Sequence, residues 1–334
     1  MTNRRANAVM FGFDFQVNAA IVLMLDNMKE LQAVKIESDN EDIELFLNNN
    51  ECILAQAKAV QHSSYDFNNV RANLNKALKT LSEACSKTNV KKAIFITNSP
   101  NPFKDDDSRS AFYGHARRSF ANIPPSAQKI ITDYLHNIDV PLDTDKFVVH
   151  VLPFETDDEQ ERYKEIKRCI DDFIGDLGIM DCPGLGKKLM SVWQNSLFGD
   201  GTKANATIKL KKTDIVWPMI VFVTEVSNGM DFLDGLDLGL QEETIRQYSQ
   251  LIDSMCERME FFTRILYDYN DFKCNTNNAD KCKKFIEQSW TNYLPYLDST
   301  DLNSEVKETL IKLVLYNVIR RRFYIDNIKN GVGL

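Results

Sequence analysis

Gln56-Ala57-Lys58 stands on a short alternating segment, one tight turn away from a second segment that begins at Asp42. A carboxylate, an amide and an ammonium group brought to one point can gather a divalent cation, a phosphate and a water. Phosphodiester hydrolysis needs those three together: the cation acidifies the water and neutralises phosphate charge, and a lysine stabilises the charge that develops. Magnesium prefers oxygen ligands and keeps several of its waters. Asp42, Gln56 and the backbone carbonyl of Ala57 are therefore the expected ligands of Mg2+ or Mn2+, with Lys58 beside the attacked phosphate. Glu37, at the end of the preceding strand, is a further ligand or general base. The same residues also suit the solvated face of an antiparallel hairpin, where Lys and Glu ordinarily sit.

The elements that must position these groups can be read from periodicity. Ala33–Glu37 is a short strand, and Asp42–Leu47 alternates with Ile43, Leu45 and Leu47 on one face. Asn48-Asn49-Asn50 is a turn signal, because asparagine tolerates the left-handed backbone of tight hairpins. Glu51–Val60 is the return strand, with Ile53, Ala55, Ala57 and Ala59 on one face. Matching the apolar faces puts Leu47 opposite Glu51, Glu44 opposite Leu54 and Asp42 opposite Gln56. Lys58 then lies one diagonal step away. Opposed side chains have Cβ atoms about 4.5–5.5 Å apart and diagonal ones about 7–8 Å. A slip of one residue would bury Asp42 and expose the alanines. On this reading Glu44 is a surface residue, and the small alanines leave room for a helix.

Around the hairpin, 14–31 and 64–86 read as helices, the second from Phe67, Val70, Leu74, Ala77, Leu78 and Leu81. Residues 93–97 form an apolar strand ending in Thr97-Asn98. Residues 100–125 read as a long polar loop, followed by a helix at 126–137 and a strand at 147–152. Helix and strand alternate, so the first half is mixed α/β. Beyond Pro153 the chain reads as helices at 157–173, 185–197, 242–269, 281–293 and 304–327. The stretch 214–225 suits either a strand edge or a helix start. The expected organisation is a sheet domain over 1–154 and a mainly α-helical domain over 155–334.

Composition narrows the classes. Hydrophobic content of 43% and charged content of 26% describe a soluble globular protein. A net charge of −8 gives DNA no overall attraction, so any DNA contact needs a local basic surface. Seven cysteines without a CxxC pair, and four histidines, argue against zinc and for reduced thiols in the cytoplasm. The uninterrupted apolar runs are shorter than a membrane span.

Arg117 and Arg118 in the long loop are the candidate DNA contacts, since loops on a rigid scaffold often carry binding groups. His115 beside them reads as incidental to catalysis. Arg320-Arg321-Arg322 and Lys209, Lys211 and Lys212 read as solvated charge clusters. Asp181–Lys187 lacks the spacing of a phosphate loop and reads as a turn.

Taken together, Gly12-Phe13-Asp14-Phe15-Gln16, Glu37, Glu41-Asp42-Ile43 and Ala55-Gln56-Ala57-Lys58 resemble the double-stranded-DNA nuclease domain of bacterial anti-phage effectors. That domain belongs to the PD-(D/E)xK restriction-endonuclease-like superfamily and occurs in CBASS effectors and in the nuclease subunit of Lamassu-type defence systems. The resemblance covers about the first hundred residues. It maps the family's aspartate onto Asp42, its Gln-x-Lys strand onto Gln56 and Lys58, its helix glutamine onto Gln16, and its strand-end signature onto Thr97-Asn98. Glutamine at 56 stands where the wider superfamily has an acid.

The resemblance implies a restriction-endonuclease-like mixed sheet flanked by helices, and magnesium-dependent cleavage of duplex DNA at low sequence specificity. It also implies control by assembly: a homo-oligomer on activation, and a helical domain held by an SMC-like ATPase and an accessory subunit. The alternative is a non-catalytic scaffold subunit that keeps a nuclease-like fold to bind protein or DNA.

Overall fold

In a computed structural model, the described residues are 7–63, 65–179, 182–205, 207–224, 237–256, 258–274, 278–297 and 302–334. Ser64, Asp181 and Glu225, which bound three of the segments read above, lie outside them.

A seven-stranded mixed sheet organises the first half, in the order β5-β6-β4-β3-β2-β1-β7. The chain begins with α1 (Asn7–Asp26), then forms an antiparallel meander of β1 (Leu31–Ile36), β2 (Ile43–Leu47) and β3 (Cys52–Lys58). Next, α2 (Val70–Cys85) crosses over to β4 (Val90–Thr97), which pairs parallel to β3. After β4 come β5 (Ala116–Ser119), α3 (Pro125–Leu135) and β6 (Phe147–Val151), with β6 parallel to β4 and β5 antiparallel to β6 at the sheet edge. Two further helices follow, α4 (Lys164–Asp176) and α5 (Leu185–Gly201), and β7 (Leu210–Lys211) closes the other edge against β1.

Both faces of the sheet are covered, which is why β3 is buried along nearly its whole length. On α2, Leu74, Ala77, Leu78 and Leu81 recur at helical spacing and meet Cys52, Leu54, Phe95 and Val149 in one core cluster. Fully burying each leucine contributes about 1.5–3 kcal/mol relative to leaving it exposed. α1 covers the other face, toward which Ile53, Ala55 and Ala57 alternate. The expected solvated face of the hairpin is therefore absent, and Glu44 is buried with Asn40 Nδ2 donating to both its oxygens at 3.2 Å.

α1 is long and apolar enough to cross a bilayer by length and composition, but Phe15 and every residue from Val17 to Leu25 are buried. The helix starts earlier and ends earlier than periodicity suggests. The expected loop at 100–125 instead contains a single helical turn at Asp106–Arg109 and the edge strand β5. That strand is four residues long and half charged, which leaves no alternation for a sequence reading to detect.

The chain separates into two compact units, Met1–Asp176 with Gly186–Ile215 and Gly333, and Leu177–Leu185 with Val216–Val332 and Leu334. The first therefore extends past the expected boundary at 154. One reason is local: Tyr163 Oη donates to Asp14 on α1 at 3.0 Å, and Arg162 reaches the same oxygen at 3.4 Å.

In the second unit the described regular elements are helical: most of α6 (Lys212–Thr224), α7 (Leu238–Cys256), α8 (Met259–Asp271), α9 (Asn278–Ser289), α10 (Ser304–Arg320) and α11 (Arg322–Val332). α10 is its centre, buried continuously from Thr309 to Leu315 and packed by α7, α8 and α9. The ambiguous stretch from 214 is helix up to Thr224, with Pro218 inside it. The expected single helix over 242–269 is interrupted twice: the backbone at Tyr248 is non-helical, with φ −123° and ψ 17°, and Arg258 is extended at the N-cap of α8. The expected helix over 304–327 likewise divides at Arg321.

Candidate active site

The hairpin register is the one that matching of apolar faces requires. Glu44 pairs with Leu54, Ile43 with Ala55, and the Leu47 N–H donates to the Glu51 carbonyl at 2.9 Å. One step beyond Ile43, the carboxylate of Asp42 meets the Gln56 strand. Its Oδ2 accepts from Gln56 Nε2, from the Ala57 N–H at 2.9 Å and from Lys58 Nζ at 3.2 Å. Asp42 and Lys58 keep 18% and 28% side-chain exposure, so the cluster opens to solvent.

The orientation of Gln56 follows from its partners. Thr80 on α2 donates its hydroxyl hydrogen to Gln56 Oε1 at 2.6 Å, which leaves the NH2 group for Asp42. The expected ligand atom of Gln56 is thus already hydrogen-bonded, with one lone pair to spare. Ala57 occupies a hydrogen-bonded register position whose partner on β2 would be Glu41. The N–H and carbonyl of such a strand residue project to the same side. Because the Glu41 N–H donates instead to Ser38 Oγ at 3.0 Å, the pairing ends there, and the Ala57 carbonyl is turned toward the Asp42 side.

Periodicity does not single out Glu41, and the structure brings it into this cluster. Its side chain is 5% exposed, and Oε1 has no hydrogen-bond partner. Burial raises its pKa to about 8, the Asp42 charge adding to the rise; Lys58 and the Thr80 hydroxyl oppose it. The signal in the sequence was adjacency: two successive acids at the mouth of a strand cannot both face water once the register is fixed. Thr80 was also missed, because it lies on the flank of an amphipathic helix where threonine is unremarkable.

Other expected site residues are not gathered here. Glu37 is exposed, with a left-handed φ of 51°; its backbone N–H donates to the Asp42 carbonyl at 2.9 Å, while its side chain makes no hydrogen bond to any described residue. Gln16 is half-buried on α1, the helix across the sheet from Gln56, and makes no hydrogen bond to the cluster. Arg117 and Arg118 are exposed on β5, three strands from β3, or about 14 Å at ordinary strand spacing. Arg117 is tied to Asp26, and Arg118 donates to the Arg117 carbonyl at 3.1 Å. Lys212, expected in a solvated cluster, is buried and donates to the Lys29 carbonyl at 3.1 Å.

Thr97 and Asn98 close the end of the site. Thr97 Oγ1 donates to the Lys58 carbonyl at 2.7 Å. Asn98 Nδ2 donates to the carbonyls of Val60 and Phe154, both at 2.9 Å, and its Oδ1 accepts from the Val60 N–H at 2.8 Å. This clamp fixes the chain where β3 and β6 end, so the cluster sits at the carboxyl edge of the parallel strands, the usual place for ligands in such sheets.

Two features of the same unit lie apart from the cluster. A cleft of about 1260 Å3 opens beside the N-terminal half of α1, lined among others by Asp14, Gln61, His62, Arg162, Tyr163 and Phe198. None of Asp42, Gln56 or Lys58 lines it, so size alone does not identify the reactive place. His115 and His150 stack with Nε2 atoms 2.7 Å apart, and burial holds both imidazoles below their ordinary pKa.

Among the described residues no three His, Cys, Asp or Glu side chains gather at one point. Asp42 and Glu41 are neighbouring carboxylates, and oxygen donors of this kind suit a hard cation retaining waters better than zinc. No protein-family model, characterised protein or solved structure matches the chain.

Proposed function

We propose that this protein is a metal-dependent endonuclease of double-stranded DNA, built on a restriction-endonuclease-like sheet. The observation that carries the proposal is the convergence of Gln56 Nε2, the Ala57 N–H and Lys58 Nζ on one oxygen of Asp42 at the open carboxyl edge of β3. Mg2+ or Mn2+ is the cofactor, held by Asp42 and the Ala57 carbonyl; when bound it neutralises phosphate charge and acidifies a water.

The chain's own groups have separable tasks. With Oδ2 committed to three donors, Asp42 is held in place and keeps Oδ1 for a ligand. Gln56, locked by Thr80, holds Asp42 in that pose and is a positioning residue. Lys58 supplies positive charge next to the scissile phosphate and is restrained by Asp42 at 3.2 Å. Lys76 lies one helical turn from Thr80 and is exposed, which suits a phosphate contact. Arg118 is a second contact candidate, farther along the sheet.

The resemblance described above extends this reading to the effector subunit of a bacterial anti-phage complex in the cytoplasm. Its second unit would then hold an SMC-like ATPase and accessory subunit, and a homo-oligomer would form on activation.

One observation favours a second reading. A carboxylate with three protein donors on one oxygen is also what a purely structural aspartate looks like, and a scaffold subunit could retain it. Cleavage assays separate the two. Purified protein with Mg2+ or Mn2+ should cut duplex DNA, and Lys58→Ala should abolish cutting while leaving the circular-dichroism spectrum and oligomeric state unchanged. Wild-type and Lys58→Ala proteins that are equally active, or equally inert once assembled with their complex, would leave only the scaffold.

A further inference from the structure

Glu41 is the buried acid that the proposed reaction, as described so far, does not use. Its carboxyl is buried at the mouth of β3, and its Oε1 is shielded from water without receiving a hydrogen bond. An unpartnered buried acceptor costs about 1–3 kcal/mol, more when charged. The neighbouring Asp42 charge adds to that cost. Lys58 is the nearby cation, and its ammonium is held on Asp42 Oδ2 rather than on Glu41. Folding alone gains nothing from an acid at this position: an apolar residue or glutamine would fill the space without the charge.

The placement is specific. Continuing the β2–β3 register sets Asp42 opposite Gln56 and Glu41 opposite Ala57, where the strand pairing has just ended. With the alternation ended, the Glu41 carboxyl lies close enough to feel the charges of Asp42 and Lys58 and the hydroxyl of Thr80 on the helix that faces Gln56, and its Oε1 has no hydrogen bond. Thr80, which fixes Gln56 by its hydroxyl hydrogen, also favours the charged form of the Glu41 carboxyl and so touches both halves of the cluster.

We propose that Glu41 is the second carboxylate of the divalent-cation site, supplying from the strand mouth of β2 the acid that Gln56 does not supply from β3. This rests on the nuclease reading, and it assigns the cation to Asp42, Glu41 and the Ala57 carbonyl, with Gln56 outside its coordination. Two carboxylates then balance the ion's two charges, and Lys58 remains free to face phosphate.

Direct binding of Mn2+ to the full-length protein, by titration calorimetry and by the loss of the free-ion electron-paramagnetic-resonance signal, tests the assignment without requiring turnover. Glu41→Gln should weaken Mn2+ binding at least tenfold, as should Asp42→Asn. Asp39→Asn, which removes a charge from the same turn at an exposed position, should leave the affinity unchanged. Glu41→Asp, with the carboxyl drawn back by one methylene, should fall between, and its melting curve shows whether the turn still folds. If Glu41→Gln binds Mn2+ like wild type while Asp42→Asn does not, Glu41 is no ligand and the nuclease reading survives. If the wild-type protein binds no Mn2+ with or without duplex DNA, the cation site and the nuclease reading fail together.

Discussion

Two polar clusters lie side by side at the carboxyl edge of the parallel strands, and they differ in how completely they are satisfied. Around Asn98, both amide hydrogens and the carbonyl oxygen of one side chain are spent on the backbone of Val60 and Phe154. Around Asp42, three donors crowd one oxygen while Glu41 Oε1 is buried with none. A satisfied network rigidifies; a network with surplus acceptors has room for a ligand that brings positive charge. Burial and polarity are common to both, so neither property alone distinguishes a clamp from a reactive centre.

Substitutions should separate the two clusters by opposite signatures. Lys58→Ala is expected to cost about 10²–10³-fold or more in the rate of duplex cleavage and little in melting temperature. Asn98→Ala should lower stability by about 3 kcal/mol, from three hydrogen bonds at about 1 kcal/mol each, as measured by denaturant unfolding. Loss of cleavage in Asn98→Ala should be restored at temperatures where the variant is folded. Equal stability losses in the two variants would erase the distinction.

Thr80 joins the comparison at an intermediate level, because it touches only the reactive cluster. Thr80→Val keeps the shape of the side chain and frees Gln56 to rotate. A fall of about 10–100-fold in Mn2+ affinity or cleavage is expected, the usual effect of removing a group that orients a ligand. An unchanged rate would show that Gln56 is held by Asp42 alone.

The histidine pair provides a contrast in pH response. Burial depresses both His115 and His150, so the unfolded chain binds protons more readily than the folded one near their ordinary pKa of 6.5. Their contribution to stability is present above that value and is lost as pH falls below it. Melting temperature should therefore drop between pH 7 and pH 5, and His150→Met should flatten the drop. A variant with the wild-type pH profile would place the acid sensitivity elsewhere.

The smallest effects are expected at the surface cations. Removing Lys76 should weaken DNA binding uniformly across sequences and reduce the logarithmic salt dependence by about one. Arg117→Ala should do less, since its guanidinium is engaged by Asp26. A larger loss from Arg117→Ala would relocate the DNA path to the β5 edge.

The hairpin register was legible because side chains alternate with period two, and only one register buries Ile43, Leu45, Leu47, Ile53 and Ala55 together. That single constraint was enough to bring Asp42 to Gln56. What could not be read came from groups whose position depends on another element. Glu44 looked solvent-facing because the hairpin alone does not reveal a covered second face, and Glu41 lies just outside the alternating segment that starts at Asp42. Gln16 was joined to the site by resemblance and Glu37 by its place at a strand end, but α1 lies across the sheet and the turn at Glu37 faces water. The helix over 242–269 was drawn as continuous because its apolar stripe runs on past Arg258, where the backbone does not.

The most direct measurement is the position of manganese in crystals of the protein grown or soaked with Mn2+ and a duplex oligonucleotide, read from its anomalous scattering. The account predicts one peak bounded by Asp42 Oδ1, Glu41 Oε1 and the Ala57 carbonyl, with Lys58 Nζ turned to a phosphate oxygen. Manganese seated elsewhere, with the Asp42 cluster unchanged and dry, would contradict it.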